Sequence, residues 1–406
     1  MTPSKPASFP LQFWLLFSGM LISAIGASMI WPFLMIYISE RLDSPLTVNA
    51  GLISLNSVAG LLSSLIAGPI IDRLGRKRVM VISLLTNALG FLFLSRANSL
   101  VAFALLMVMQ GASNPLYRVG ADAMIADLIP EGKRIDAYSR MRLSNNLGVA
   151  IGPAIGGFLA SVSYTLAFYG AAAGLFLYGL FVAFGAKETL PALAQTARQA
   201  QTSEGKALGG YKAVLEDRRF TRFALTLILP QISAAILWVL LGVYTKTHFG
   251  ISEKLYGWIP VTNASMVVLF QLAVTAITRR YPPLLALSIG SLLYGCGVGS
   301  VAIGSGFWWF WLSMVIVTVG EMVLVPTSST YVANLAPADM RGRYMSLYSL
   351  TWIIAAGIGP LAGGLLNDSL GPVAIWIGGG AVGVLAAVLF LWEWRQSFAI
   401  PYRLHR

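Results

Sequence analysis

The chain has 406 residues, of which 57% are hydrophobic and 11% charged, with a mean hydropathy of +0.74. Soluble globular chains carry roughly 25% charged residues, so a soluble fold is excluded and most of this surface must meet lipid. The formal net charge of +12 does not point to nucleic acid, because the basic residues fall between apolar runs rather than in one patch. In chain order, apolar spans are expected at 12–39, 46–71, 79–95, 99–128, 139–162 and 165–186, then at 221–248, 254–278, 282–302, 306–335, 342–366 and 371–394. Runs such as Leu11–Ile38, Val79–Leu94, Leu166–Phe184 and Gly371–Trp392 reach or approach the roughly 20 residues that cross a hydrocarbon core. The first run is too long for a signal-peptide core and is read as a retained span.

These spans predict an all-α polytopic membrane protein with twelve transmembrane helices in two pseudo-symmetric bundles, at 1–186 and 221–406. Residues 187–220 are read as a cytoplasmic linker, and within it Tyr211–Arg219 is either an amphipathic interfacial helix or a plain solvated connection. With the N-terminus inside, Arg73, Arg76, Lys77, Arg78, Arg134, Arg140, Arg142, Arg341 and Arg343 also fall inside, and the outer side keeps only Arg41, Arg96, Lys246 and Lys254. That asymmetry predicts two cytoplasmic termini. The single cysteine, Cys296, rules out a disulfide framework and is expected as a buried thiol. His248 and His405 form no metal-ligand cluster, and neither a metal nor a cofactor is expected.

Sliding the second half onto the first by 207 residues superimposes a series of punctuating residues. Gly152-Pro153 falls on Gly359-Pro360, Gly156-Gly157 on Gly363-Gly364, Pro130 on Pro337, Arg134 on Arg341, Trp31 on Trp238 and Tyr37 on Tyr244. A constant register over so long a stretch is the mark of duplication.

After the second span the chain reads Gly68-Pro-Ile-Ile-Asp72-Arg73-Leu-Gly75-Arg76-Lys77-Arg78. A tight glycine turn that carries an acid beside a basic cluster resembles the loop signature G-x-x-x-D-R-x-G-R-[KR] of the major facilitator superfamily. That resemblance implies a cytoplasmic gating network of Asp72, Arg73 and Arg76 with Asp127. The fifth span, Gly148-Val-Ala-Ile-Gly152-Pro153-Ala-Ile-Gly156-Gly157, is similar to the signature of the twelve-span drug:proton antiporter branch. Small residues four apart admit a second helix at close range, and the proline adds a bend. Helix packing and a flexible hinge are both open readings. The branch's fourth-span arginine is replaced by Met107, three residues before Gln110-Gly111.

Ionisable groups inside a span cost at least a few kcal/mol, so each is a functional candidate. On the fourth span Gln110, Asn114, Arg118 and Asp122 share one helical face, and Arg118 and Asp122 are spaced for a mutual salt bridge. Glu321 lies mid-span in the tenth, where burial disfavours the charged carboxylate and suits a proton carrier. The residues opposite Glu321 and Arg118 in the repeat register are Asn114 and Val325. Glu321 and Asp122 are the proton-coupling candidates. Trp31, Tyr37, Tyr117, Trp238, Tyr244 and Trp352 are candidate cavity aromatics, whereas Trp308, Trp309 and Trp311 are expected at a membrane interface.

The resemblance implies a secondary transporter working by alternating access: a monomer in the cell membrane, not an enzyme, whose partners are protons, the bilayer and a small-molecule substrate. Proton-coupled export of amphipathic or drug-like compounds is the leading expectation. A lipid or glycolipid translocator, motivated by Met107 and by Arg118 as a headgroup partner, is the alternative. Sugar or metabolite uptake is disfavoured by the short polar face.

Overall fold

A computed structural model describes residues 9–130, 133–190, 211–337 and 340–399. Among them are twelve helices long and apolar enough to cross a membrane. They are α1 (Leu11–Leu42), α2 (Leu46–Leu74), α3 (Arg76–Leu94), α4 (Leu100–Leu128), α5 (Asp136–Val162) and α6 (Tyr164–Gly185), then α7 (Arg218–Phe249), α8 (Glu253–Thr278), α9 (Pro283–Ile303), α10 (Phe307–Leu335), α11 (Arg341–Leu370) and α12 (Ala374–Gln396). No strand occurs among the described residues. Lipid offers no partner to a backbone N–H or C=O, so an apolar chain closes those bonds within itself as helix. The outward positions are correspondingly greasy, as Phe184 and Leu272 show at 87% and 86% exposure.

Every expected span is present, and no end moves by more than four residues. The ends that move furthest extend the helix into polar sequence, because a helix continues past the hydrocarbon as long as its backbone bonds persist. A 29-residue helix such as α4 spans about 43 Å, well beyond a core of about 30 Å. Caps close the ends where the sequence allows: the Asp217 carboxylate accepts from the Arg219 and Phe220 amides (2.9 and 3.3 Å) ahead of α7. Gly250, at φ +63°, ends α7 in the left-handed region.

The chain divides into two compact units. One comprises Met1–Leu34 with Val58–Thr202, the other Met35–Ser57 with Ser203–Arg406. In the first, α1 packs on α5 and α6, and α3 on α4 and α6. In the second, α7 packs on α11 and α12, and α9 on α10 and α12. The same pairs recur six helices on, so the duplication read from the sequence extends to the packing. Met35–Ser57 departs from this scheme, because it lies in the first repeat by register yet joins the second unit. Asp368 of α11 caps it by accepting from the Leu46 and Thr47 amides (3.2 and 2.9 Å), and Lys246 of α7 bridges Glu40 and Glu253.

One expectation is corrected: Cys296 is exposed rather than buried, because its side of α9 faces outward from the unit. Of the stretch Tyr211–Arg219, open to either a helix or a plain connection, Tyr211–Glu216 is helical, and Asp217 ends that helix and caps α7. The linker stretch 191–210 and His405 lie outside the described residues.

Candidate functional site

The charged loop of the first unit is built around Arg76, the first residue of α3 and only 6% exposed. Its guanidinium meets Asp127 of α4 at 2.8 Å and Asp72 of α2 at 3.9 Å. Arg73 enters no ion pair among the described residues, so three of the four expected residues form the network. A fourth participant comes from the segment after α6. The Glu188 carboxylate accepts from the Arg76 and Lys77 amides (3.1 and 3.0 Å), capping α3 with negative charge at its N-terminus. The adjoining Thr189 hydroxyl donates to Asp127 at 2.8 Å.

The two signature glycines do different work. Gly68 lies inside α2, where a Cβ would meet nothing within 4 Å, so it makes no turn. The turn belongs to Gly75 alone, at φ +90°, where a Cβ would sit 2.6 Å from Glu188 Oε2. Gly75→Ala is therefore expected to cost about 1–3 kcal/mol in backbone strain and to displace Glu188. Gly68→Ala is expected to be neutral or to stabilise the helix by up to about 1 kcal/mol. Matched thermal scans of the two purified variants check this contrast.

On α5 a Cβ at Gly148, Gly152 or Gly156 would strike Ala24, Ser28 or Met29 of α1. The Ser28 hydroxyl donates to the Gly148 carbonyl at 3.1 Å. With Pro153 in a continuous helix, the signature forms a backbone-to-backbone contact face.

On α4 the polar face separates into two parts. Gln110 is buried and turned toward the Asn87 carbonyl of α3 (3.5 Å), in a helix interface rather than on an open surface. Asn114, Arg118 and Asp122 are exposed. The expected Arg118–Asp122 salt bridge is absent among the described residues, since side chains one helical turn apart met no constraint drawing the two heads within 4 Å. Asp122 instead presents its carbonyl to the Tyr138 hydroxyl (2.9 Å), and Tyr117 stacks edgewise on Tyr178 (6.5 Å).

In the second unit Glu321 projects from α10 toward α8. Asn263 Nδ2 donates to Glu321 Oε2 at 2.8 Å and to Thr318 Oγ1 at 3.0 Å, and the Thr318 hydroxyl donates to the Met314 carbonyl at 2.7 Å. Glu321 forms no ion pair among the described residues, and Tyr294 of α9 is close enough to act on it electrostatically. A carboxylate held by one neutral amide can gain or lose a proton without breaking a salt bridge.

Among the aromatic candidates, Tyr37 and Tyr244 are buried. Tyr37 lies under Arg41 (5.3 Å), and Tyr244 packs edge-on against Trp376 (4.9 Å). Trp31 and Trp352 are exposed and Trp238 half-buried. Trp308 is 74% exposed at the end of α10, while Trp311 donates to Thr262 of α8 at 2.8 Å.

The model of the Major Facilitator Superfamily matches residues 16–232 and 223–400, nearly the whole chain. The chain belongs to the Major Facilitator Superfamily. It is similar to a "Na(+), Li(+), K(+)/H(+) antiporter" of Planococcus maritimus, 28% identical over 90% of this chain and 91% of that protein. It is also similar to "Multidrug resistance protein MdtH" of Escherichia coli (strain K12 / DH10B), 24% identical over 97% of both chains. A solved POT family transporter in complex with 5-aminolevulinic acid shares the fold at a TM-score of 0.79 and 18% identity, covering 95% of this chain and 96% of its own. The nucleoside transporter NupG does so at 0.79 and 14% identity, covering 95% and 100%.

Two residues that hydrogen-bond at these candidate sites, Glu188 and Asn263, are ones that sequence reasoning passed over. Glu188 gave no local signal, because its role exists only where the chain after α6 returns to α3. Asn263 did leave one, since it falls opposite Asn56 in the same register that sets Glu321 opposite Asn114.

Proposed function

We propose that the chain is a proton-coupled exporter of amphipathic or drug-like small molecules. It acts as a monomer in the cell membrane with both termini cytoplasmic, and alternating access exposes the substrate to each side in turn. Glu321 is the proton-carrying group and Asp122 an auxiliary acid. The supporting observation is a mid-helix carboxylate whose direct partner is one amide, in a transporter whose relatives include proteins named as a proton antiporter and a multidrug resistance protein. The Asp72/Arg76/Asp127 loop network serves as the cytoplasmic gate of this cycle.

A second reading rests on Glu321, Thr318 and Asn263 together. Glu321 and Thr318 present side-chain oxygens from α10, hard donors of the type an alkali cation takes, Asn263 of α8 would add a third by turning its amide, and one relative's printed name includes Na(+), Li(+) and K(+).

Purified protein in liposomes tests both. An imposed pH gradient is expected to drive movement of a cationic amphiphilic dye. Cation-dependent proton release without dye movement would establish the second reading instead, and movement of a labelled lipid alone would overturn both in favour of lipid translocation.

A further inference from the structure

Asn263 spends its amide on two acceptors of another helix, and both belong to the region around Glu321. One N–H reaches the carboxylate at 2.8 Å and the other reaches Thr318 one turn earlier at 3.0 Å. Asn263 is itself buried at 6% exposure, so water does not readily replace these bonds. Around the carboxylate, α8 contributes Asn263, α9 the Tyr294 phenol, and α10 Thr318; none of these is a cation.

The repeat register adds an independent observation. A shift of 207 residues sets Asn263 on Asn56 and Glu321 on Asn114. Both copies thus carry a polar residue at each of these two positions of their second and fourth helices, but only the second copy has one that titrates. The asparagine of the second helix is common to both, and the acid is specific to one.

From this we infer that Asn263 is the positioning residue of proton coupling, resting on the reading of Glu321 as the proton carrier. In the deprotonated state the Asn263 N–H holds the carboxylate and ties α8 to α10. When a proton from water binds Glu321 Oε2, that oxygen becomes an O–H donor facing an N–H donor, and the tie is lost unless the amide turns to present its oxygen. Proton arrival thereby removes one of the ties between α8 and α10, while those from Asn263 to Thr318, from Trp311 to Thr262 and from Gln271 to the Met322 carbonyl hold the two helices together. No other bond is made or broken and the proton leaves by the reverse step.

The test is a double-mutant cycle on the full chain in liposomes, with dye movement and proton movement read together. Asn263→Ala and the near-isosteric Asn263→Leu are each expected to lower proton-driven dye movement about tenfold or more, the size of one hydrogen bond to a charged group. In the Glu321→Gln background proton-driven movement is already lost, so the same substitutions are read there by gradient-free substrate exchange and are expected to leave it unchanged. A purely packing role for Asn263 would instead lower that exchange in both backgrounds by the same factor, and that additivity would overturn the inference, as would undiminished coupling in both single variants. Unimpaired proton-driven movement in Glu321→Gln alone would sink the proton-carrier reading itself, so the two failures are separable. Substrate-for-substrate exchange without a gradient serves as the folding control, and loss of coupling with exchange retained is the supporting result.

Discussion

Glu321→Gln is expected to abolish proton-driven transport, lowering its initial rate by about a hundredfold or more, the scale on which a positioned proton-transfer group contributes. Glutamine keeps the shape of the side chain and an oxygen that still accepts from Asn263, so the packing of α8 on α10 survives while the titrating oxygen is lost. Substrate exchange in the absence of a pH gradient is therefore expected to remain within a few-fold of the parent. Glu321→Asp retains the proton but withdraws it by one methylene from Asn263, and is expected to fall between the two. Liposome assays with and without a pH gradient check the set. If Glu321→Gln still moves dye at the parental rate under a gradient, the proton travels on another group, and Asp122 becomes the acid to replace next.

What could be read from the residues alone divides along physical lines. Span positions depend on local hydropathy, and they agree with the structure to within four residues. The isolated acid at 321 was equally legible, because charge in an apolar run is conspicuous without knowledge of its surroundings. Side-chain pairing was not. Arg118 and Asp122 have the spacing of a helical salt bridge but do not form one, since spacing permits a contact and tertiary packing decides it. Gly68 and Gly75 look equivalent in the signature, yet only Gly75 has the positive φ that requires glycine. Met35–Ser57 reads as part of the first repeat, and its packing with the second unit rests on Asp368 and Lys246, more than 200 positions away in sequence.

Arg76→Ala is expected to be the most destabilising single change in the charged loop, costing about 3–5 kcal/mol if its partners are left in place. The value should lie at the lower end, because the Asp127 side chain keeps 30% of its surface exposed and water screens what remains. The substitution leaves Asp127 and Asp72 without their shared cation and removes the arginine side chain packed at the start of α3. Arg76→Lys is expected to recover only part of the loss. A lysine supplies the charge at one point, whereas the guanidinium reaches Asp127 Oδ2 through Nε and Asp127 Oδ1 and Asp72 through Nη2. Asp127→Asn is expected to cost less than either, about 1 kcal/mol, since Asp72 remains near Arg76 and the amide oxygen can still accept from the guanidinium. Thermal scans at one heating rate rank the three variants. If Arg76→Ala melts with the parent, the loop is a solvated charge cluster and its proposed part in gating falls with it. If stability drops but gradient-driven transport per folded molecule is unchanged, the network holds the first unit together without governing access.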